Sequence, residues 1–350
     1  MLAPTPLLKP SPMDVMAVFS GTWSIVKQKF GLLLGMTLAA TGVVTVALVL
    51  FGLAIAGSIV SMIAGVAPSV AAIVGMVVGY LAVVVVSYLA VFKAQAMITL
   101  GAYEVAQGRT PTFSGLLAGT KGFLPRLTVL FALGLAAVIL ISVLMGLLFA
   151  GMAESARSSG SSAAGLGLVG VIMVTMIIVI VGGYYLTVKL LYVVPLIAID
   201  QLDGISALKR SWKLTDGAFW RTLGYVLLLA IVLGVGSTII SFIAQIFMIP
   251  AVGSLSALEY TNDPAAVFAA LLATAPFLII PTLLTTAYQI VVTPFMCVYV
   301  AVMYIDQVRR SELPPGYVPP TAASYNPPGF PPVNPDGYPP PPPPPPAQPH

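Results

Sequence analysis

The chain has 350 residues, of which 59% are hydrophobic and only 7% charged, and its formal net charge is +4. Soluble domains carry about 25% charged residues, so this composition excludes a water-soluble globular protein. The small net charge also argues against a nucleic-acid partner. The only histidine is His350 and the only cysteine is Cys297, so we expect no catalytic triad, no disulfide, no metal site and no cofactor.

Six apolar runs follow one another along the chain. A spanning helix needs about 20 apolar residues, and residues 31–92 contain no charge at all. Backbone groups in lipid must be satisfied internally, and the runs lack the alternation of barrel strands, so helices are predicted. We predict spans near 32–64, 69–98, 127–150, 168–198, 222–250 and 276–305.

The segments between and after these runs are more polar. We predict a flexible loop at 152–167 and another at 251–264. Three prolines should kink or divide the last run, at Pro276, Pro281 and Pro294. We expect residues 1–11 to form a short tail, residues 12–312 the transmembrane domain, and residues 313–350 a disordered, proline-rich cytosolic tail. The proline-rich tail is expected to be either a solvated spacer or a polyproline ligand for a protein partner.

The distribution of basic residues predicts the orientation. Of the 15 lysines and arginines, all except Arg157 lie on one side of the predicted spans. By the positive-inside rule that side is cytosolic, so both termini are predicted to be cytosolic.

An internal repeat organises the six spans. An amphipathic segment precedes each odd-numbered span, and the three begin near Asp14, Thr110 and Asp203. Each then reaches a phenylalanine with a leucine four residues later: Phe30/Leu34, Phe123/Leu127 and Phe219/Leu223. Each even-numbered span ends in an acid: Glu104, Asp200 and Asp306. The predicted fold is therefore an all-α polytopic bundle of about six transmembrane helices and three interfacial helices, in three hairpin repeats.

The predicted apolar sides of the interfacial segments complete this pattern. They are Val15, Val18, Phe19 and Thr22 in the first segment, Phe113, Leu116, Leu117 and Leu124 in the second, and Ile205, Leu208 and Trp212 in the third.

Two lysines are the first candidate site. Lys93 and Lys189 each lie 11 residues before the closing acid, Glu104 or Asp200. Each lysine therefore shares a helix face with its acid and lies about 16 Å deeper in the membrane than the acid does. A charge at that depth is costly and suggests a ligand or lipid-phosphate contact. The alternatives are snorkelling to the interface and a structural polar contact. Phe295 occupies the matching place in the third repeat.

A second candidate is the basic segment of the third repeat. Lys209, Arg210 and Lys213 surround Trp212. Such a segment can contact anionic lipid head groups, or it can serve only to set the topology.

Three segments carry a resemblance to a known family. Residues 193–200 (VVPLIAID), 207–225 (ALKRSWKLTDGAFWRTLGY) and 298–312 (VYVAVMYIDQVRRSE) resemble the glycerophosphoryl diester phosphodiesterase membrane-domain family, over about 13–312. The resemblance implies a bacterial plasma-membrane protein. The family's name comes from members fused to a soluble phosphodiesterase, whose histidines and metal carboxylates this chain lacks, so the resemblance does not imply that activity here.

Three functions remain open. The first is a non-enzymatic module that organises membrane lipids or a partner protein. The second is a carrier of a small or lipid-like anionic solute, which predicts that Lys93 and Lys189 face each other across a polar cavity. The third is an anchor for a separately encoded enzyme.

Overall fold

The computed structural model describes residues 8, 12–63, 67–159, 162–256 and 264–312. These residues form helices without any strand. In chain order the helices are α1 (Val15–Gln28), α2 (Phe30–Ile63), α3 (Val70–Ala106), α4 (Phe113–Gly119), α5 (Phe123–Ser159), α6 (Ser162–Leu190), α7 (Val193–Ala198), α8 (Gly204–Thr215), α9 (Phe219–Ser256) and α10 (Pro264–Glu312).

Six of the described helical stretches are long and apolar enough to cross a membrane, which confirms the predicted spans. Their bounds are Phe30–Ser58, Val70–Ala106, Phe123–Gly151, Gly170–Ala198, Phe219–Pro250 and Leu272–Glu312. The fourth span combines α6 and α7. Pro195 lies inside α7, and because it has no N–H to donate one turn back, it accounts for the break between the two helices.

The three-unit repeat is also present. The first unit is α1–α3, the second α4–α7 and the third α8–α10, and the odd-numbered spans begin at Phe30, Phe123 and Phe219. The interfacial helices α1, α4 and α8 start at side-chain caps, since Asp14, Thr112 and Asp203 each accept a hydrogen bond from a backbone N–H three residues on. Hydrogen bonds from the side chain and backbone of Ser206 hold the pKa of Asp203 below its ordinary value.

The loop predicted at 152–167 is wrong for the described residues. α5 continues through Ser159 and α6 already begins at Ser162. The sequence is polar here but rich in alanine, with Glu154 and Arg157. These residue types have high helix propensity, so the helices extend beyond their apolar runs.

The last predicted loop and the last span also need correction. α9 continues to Ser256 and α10 begins at Pro264, so the loop predicted over 251–264 is wrong for 251–256 and 264, while residues 257–263 lie outside the described part. α10 is a single helix, so of the two expected effects of the prolines, a kink or a division, the division is wrong. The hydroxyls of Thr282 and Thr285 donate to the carbonyls of Leu278 and Pro281 in this stretch.

The apolar faces of α4 and α8 differ from those predicted. In α4 only Leu116 is fully buried, while Leu124 belongs to α5. α8 turns its small residues inward instead of Ile205 and Trp212, namely Gly204, Ala207, Ser211 and Thr215. Small residues let helix backbones approach closely in membrane proteins.

Gly204 shows how close that approach is. A Cβ at this position would lie 2.5 Å from the backbone oxygen of Arg126 in α5. Any side chain at this position would therefore push α8 away from α5.

The buried core lies at the end of the bundle that carries α1, α4 and α8, which we call the basic end. The buried residues come from these helices and from the adjoining ends of the spans; Val18, Ile98, Leu116, Ile197 and Val302 are each 0% exposed. In α1 this confirms the predicted inward face at Val18 and Thr22. Elsewhere along the spans the large apolar side chains are exposed, as expected for helices that face lipid.

Candidate functional site

The two lysines that the repeat pattern singled out bind different interfacial helices. Lys93 Nζ donates to the backbone carbonyl of Thr120, the C-cap residue of α4, at 2.5 Å. Lys189 Nζ lies 2.5 Å from Oδ1 of Asp216, the C-cap residue of α8. A cation at the C-terminus of a helix is favourable because the last carbonyls carry partial negative charge.

Lys189 is the more enclosed of the two lysines. It is 5% exposed, and its ammonium lies 5.0 Å from the centroid of the Trp212 ring and 5.9 Å from that of Tyr185. The hydroxyl of Ser211 also donates to the Lys189 carbonyl, at 2.7 Å. α6 and α8 are therefore joined by a cation, a carboxylate and two aromatic rings.

The repeat also places a second polar contact at the basic end of the second and third units. Gln201 follows the closing acid Asp200; its Oε1 accepts from Arg126 Nη1 at 2.5 Å, and its Nε2 donates to the Gly119 carbonyl at 3.2 Å. The second unit is thus closed by one amide that joins an arginine of α5 to the end of α4. We call this arrangement the glutamine clamp.

The third unit repeats the glutamine clamp. Gln307 follows Asp306; its Oε1 accepts from Arg221 of α9, and its Nε2 donates to the Leu214 carbonyl of α8 at 2.7 Å. In the first unit Val105 occupies the position after the acid, so the amide of the clamp is missing there.

The closing acids have different surroundings. Asp306 is 2% exposed, and its carboxylate accepts from the Met13 backbone N–H at 2.7 Å and from Arg310 Nε at 2.8 Å. Asp200 Oδ2 accepts from the Tyr304 hydroxyl at 2.8 Å and lies 3.3 Å from Arg210 Nη1. Glu104 is half-buried at the end of α3.

A basic pocket opens beside the third glutamine clamp, between α8, the start of α9 and the end of α10. Its volume is about 470 Å³. The cationic side chains that line it are Arg210, Lys213, Arg221 and Arg310, and the single acid is Asp216.

Most of these charges are already compensated. Arg210 pairs with Asp200, Arg310 with Asp306, and Asp216 with Lys189. Within the described part of the chain, Lys213 and Arg221 have no carboxylate at ion-pair distance. Two cations in one concave site, without acidic partners, can bind an anion such as a phosphate ester.

The predicted site residues fall into two groups. Arg210 and Lys213 line the basic pocket, while Lys189 and Asp200 reach it through their ion pairs with Asp216 and Arg210. The remaining candidates are elsewhere: Lys93 of α3 is bonded to the end of α4, Glu104 lies at the end of α3, Lys209 is exposed on α8, and Trp212 lies beside Lys189.

Three residues of this pocket were not predicted from the sequence, namely Arg221, Gln307 and Arg310. A signal for two of them was present, because each glutamine that follows a closing acid is matched by an arginine near the start of the odd-numbered span of its unit. The Arg126/Gln201 and Arg221/Gln307 pairs repeat the residue types but not the spacing, since they are 75 and 86 residues apart.

The fold and these contacts define a multi-pass, α-helical integral membrane module. Residues 167–318 match the family described as the membrane domain of glycerophosphoryl diester phosphodiesterase. The match confirms the predicted family resemblance for that part of the chain and includes Lys189 and every residue of the basic pocket. Residues 13–166, for which the resemblance was also predicted, lie outside the match. No curated protein and no solved structure matches the chain.

Proposed function

We propose that this protein is a non-catalytic membrane module that holds anionic lipid at the cytosolic face of the bacterial plasma membrane. The observation that carries the proposal is the basic pocket of about 470 Å³, which Lys213 and Arg221 line without a carboxylate partner among the described residues. Each basic residue near an anionic membrane surface contributes about 1 kcal/mol of attraction, and the arginine fork adds directional bonds to phosphate oxygens.

The position of the pocket supports a lipid head group as the anion. The pocket lies where the interfacial helix α8 meets the ends of two spanning helices. Trp212 and Trp220 are exposed nearby on α8 and α9, and tryptophan favours the level of the head groups. A lipid phosphate bound in the pocket would leave its acyl chains beside the exposed apolar surface of the spans.

The glutamine clamps provide a matched test of lipid binding. Arg126 and Arg221 make the same contacts to Gln201 and Gln307, but only Arg221 lines the basic pocket. We expect Arg221→Gln to lower retention of phosphatidylglycerol about tenfold or more, because a charge-assisted hydrogen bond contributes about 1.5–3 kcal/mol. Arg126→Gln breaks the equivalent clamp and should leave retention unchanged.

Retention is measured by native mass spectrometry of the full chain, exchanged into detergent with phosphatidylglycerol or with phosphatidylcholine. Equal loss in the two arginine variants would contradict the proposal, because it would trace the effect to helix packing. Free glycerol phosphate is added as a competitor. If it displaces the lipid at equal concentration, the pocket recognises the soluble phosphate ester alone and the lipid assignment is wrong.

The orientation belongs to the same proposal and is supported by the basic residues gathered on one side. In a Cys297→Ser background, cysteines at Ser159 and Ser256 should react with an impermeant thiol reagent in intact cells, whereas one at Ser324 should not. The reverse labelling pattern would place the basic pocket outside the cell.

The non-catalytic part of the proposal rests on the residue inventory. His350 is the only histidine of the chain, and among the described residues no cluster of histidine, cysteine and acidic side chains could hold a metal ion. Purified protein should release no glycerol phosphate from glycerophosphodiesters. Metal-dependent turnover that co-purifies with the chain would overturn this part.

A further inference from the structure

A second cavity lies between the three even-numbered spans, away from the basic pocket. Its volume is about 430 Å³, and its walls come from α3, the α6–α7 break and α10. Gln95, Leu191 and Cys297 all line it, and each lies nine residues before the closing acid of its unit. Matching positions of all three units therefore converge on this central cavity.

The lining of the central cavity is polar without being charged. Its walls contain Gln95 and Thr99 on α3 and Gln289 and Thr293 on α10. Both pairs are spaced by four residues, so each pair presents one helix face. The other lining residues are apolar, apart from Cys297, and the lining contains no lysine, arginine, aspartate or glutamate.

The polar groups of the cavity lack protein partners. Thr99 is only 3% exposed, yet within the described part of the chain no hydrogen bond joins its hydroxyl to another protein group. Other threonine hydroxyls in the helices, such as those of Thr120 and Thr187, donate to the carbonyl four residues earlier. The half-buried amide of Gln95, one turn away, has no protein hydrogen bond among the described residues either.

We propose that the central cavity binds an uncharged, single-chain amphiphile with a hydroxyl-bearing head group, of the monoacylglycerol type. The head group hydrogen-bonds with Gln95 and Thr99, and the hydrocarbon chain lies against the apolar wall of Leu191 and Val194. An ionised head group is disfavoured because no opposite charge lines the cavity and desolvation of a lone charge is costly. The volume suits one such molecule, since ligand cavities usually measure about 300–1,000 Å³.

Lys93 does not supply a charge to this cavity. It lies two residues before Gln95 on α3 but donates its hydrogen bond to Thr120 of α4. The central cavity is therefore distinct in ligand chemistry from the basic pocket, and its occupant differs from the anionic lipid of the proposed function.

The test uses 1-oleoyl-glycerol as the probe, with the full chain in phosphatidylcholine nanodiscs. We expect Gln95→Leu combined with Thr99→Val to lower its retention about tenfold, because two hydrogen bonds of about 0.5–1.5 kcal/mol each are lost. Gln245→Leu is the matched control, since Gln245 is exposed on α9 and lies outside the cavity. Arg221→Gln should also retain the probe, which separates this site from the basic pocket.

A second measurement uses the native cysteine. In the parent chain, bound 1-oleoyl-glycerol should slow the modification of Cys297 by N-ethylmaleimide, because Cys297 lines the cavity. The same acyl glycerol carrying a phosphate should not protect Cys297. Equal retention by the cavity variant and the Gln245→Leu control would overturn the proposal. So would unprotected Cys297 in the presence of the neutral probe, even if the cavity variant fails to fold.

Discussion

The second and third repeat units share a scaffold at the basic end, but their closing acids perform different structural tasks. Asp200 contacts Tyr304 and Arg210, and its side chain is 25% exposed. Asp306 is enclosed between the Met13 N–H and Arg310. The difference follows from chain order: α1 packs against α10, so the acid of the last unit meets the beginning of the transmembrane domain. The equivalent acids therefore differ because only the acid of the third unit lies where the first and last units meet.

The largest expected effect comes from removing the enclosed acid. Asp306→Ala leaves the Arg310 guanidinium and the Met13 N–H without their carboxylate, and breaking a buried ion pair costs about 3–5 kcal/mol. Asp200→Ala removes one hydrogen bond and one partly exposed ion pair, at about 1–2 kcal/mol. The measurement is the free energy of unfolding of both variants in mixed detergent micelles.

The relative size of the two losses in unfolding free energy tests the comparison of Asp200 with Asp306. If Asp200→Ala destabilises the protein as much as Asp306→Ala, the contacts of Asp306 between the first and third units contribute no more to stability than those of Asp200. Asp306→Asn serves as a control of shape, because it keeps one acceptor for the Met13 N–H while removing the charge.

The sequence was sufficient for the six spans, the three units and the starts of the interfacial helices near Asp14 and Asp203. These features depend on local patterns, such as uncharged runs and capping residues, that the chain displays directly. The inward face of α8 was not predictable in the same way. In lipid the large residues Ile205 and Trp212 gain nothing from turning inward, so the usual rule that places bulky apolar residues inside is reversed.

The candidate site was predictable only in part, for a related reason. Lys93 and Lys189 stood out because charge is rare in the spans, but their partners could not be inferred. Thr120 and Asp216 are 27 residues further along the chain, and such pairings depend on how the interfacial helices fold back. Each is also the C-cap residue of its interfacial helix, so Asp216 of the third unit takes the place of Thr120 in the second. Lys93 therefore meets a carbonyl where Lys189 meets a carboxylate.

The second expected effect concerns these lysines. Lys189→Met loses a short ion pair and a contact with the Trp212 ring. We expect the free energy of unfolding to fall by only about 1–2 kcal/mol, because the desolvation cost of the buried ammonium is removed at the same time. Lys93→Met should stay within about 0.5 kcal/mol, because the Thr120 carbonyl still accepts from the Phe123 N–H and the methionine keeps the aliphatic bulk. Thermal unfolding of both variants measures the difference.

Co-purified lipid is measured on the same two lysine variants. Lower lipid content in both would support the predicted lipid-phosphate contact, and Lys→Arg should then restore it only in part. Raised stability with unchanged lipid in both variants would instead leave the lysines as snorkelling residues and would contradict the ion-pair argument for Lys189.

The smallest expected effect uses two glycines in the turns that follow α4 and α8. Each follows the end of an interfacial helix, in Thr120-Lys121-Gly122 and Thr215-Asp216-Gly217. Gly217 has φ of 76°, where a Cβ is unfavourable even though no atom lies within 4 Å of it. Gly122 lacks a positive φ, and a Cβ there would meet only the flexible guanidinium of Arg126, at 3.5 Å.

Alanine at these two positions should therefore have effects of opposite sign. Gly217→Ala should destabilise the protein by about 1 kcal/mol, because the left-handed region is strained for an L side chain. Gly122→Ala should be neutral or stabilise by about 0.5 kcal/mol, because alanine restricts the unfolded chain without strain in the folded one. Equal effects in thermal unfolding would mean that the turns after α4 and α8 share one backbone conformation. The two units would then differ at the basic end in their side-chain charges and not in the path of the chain.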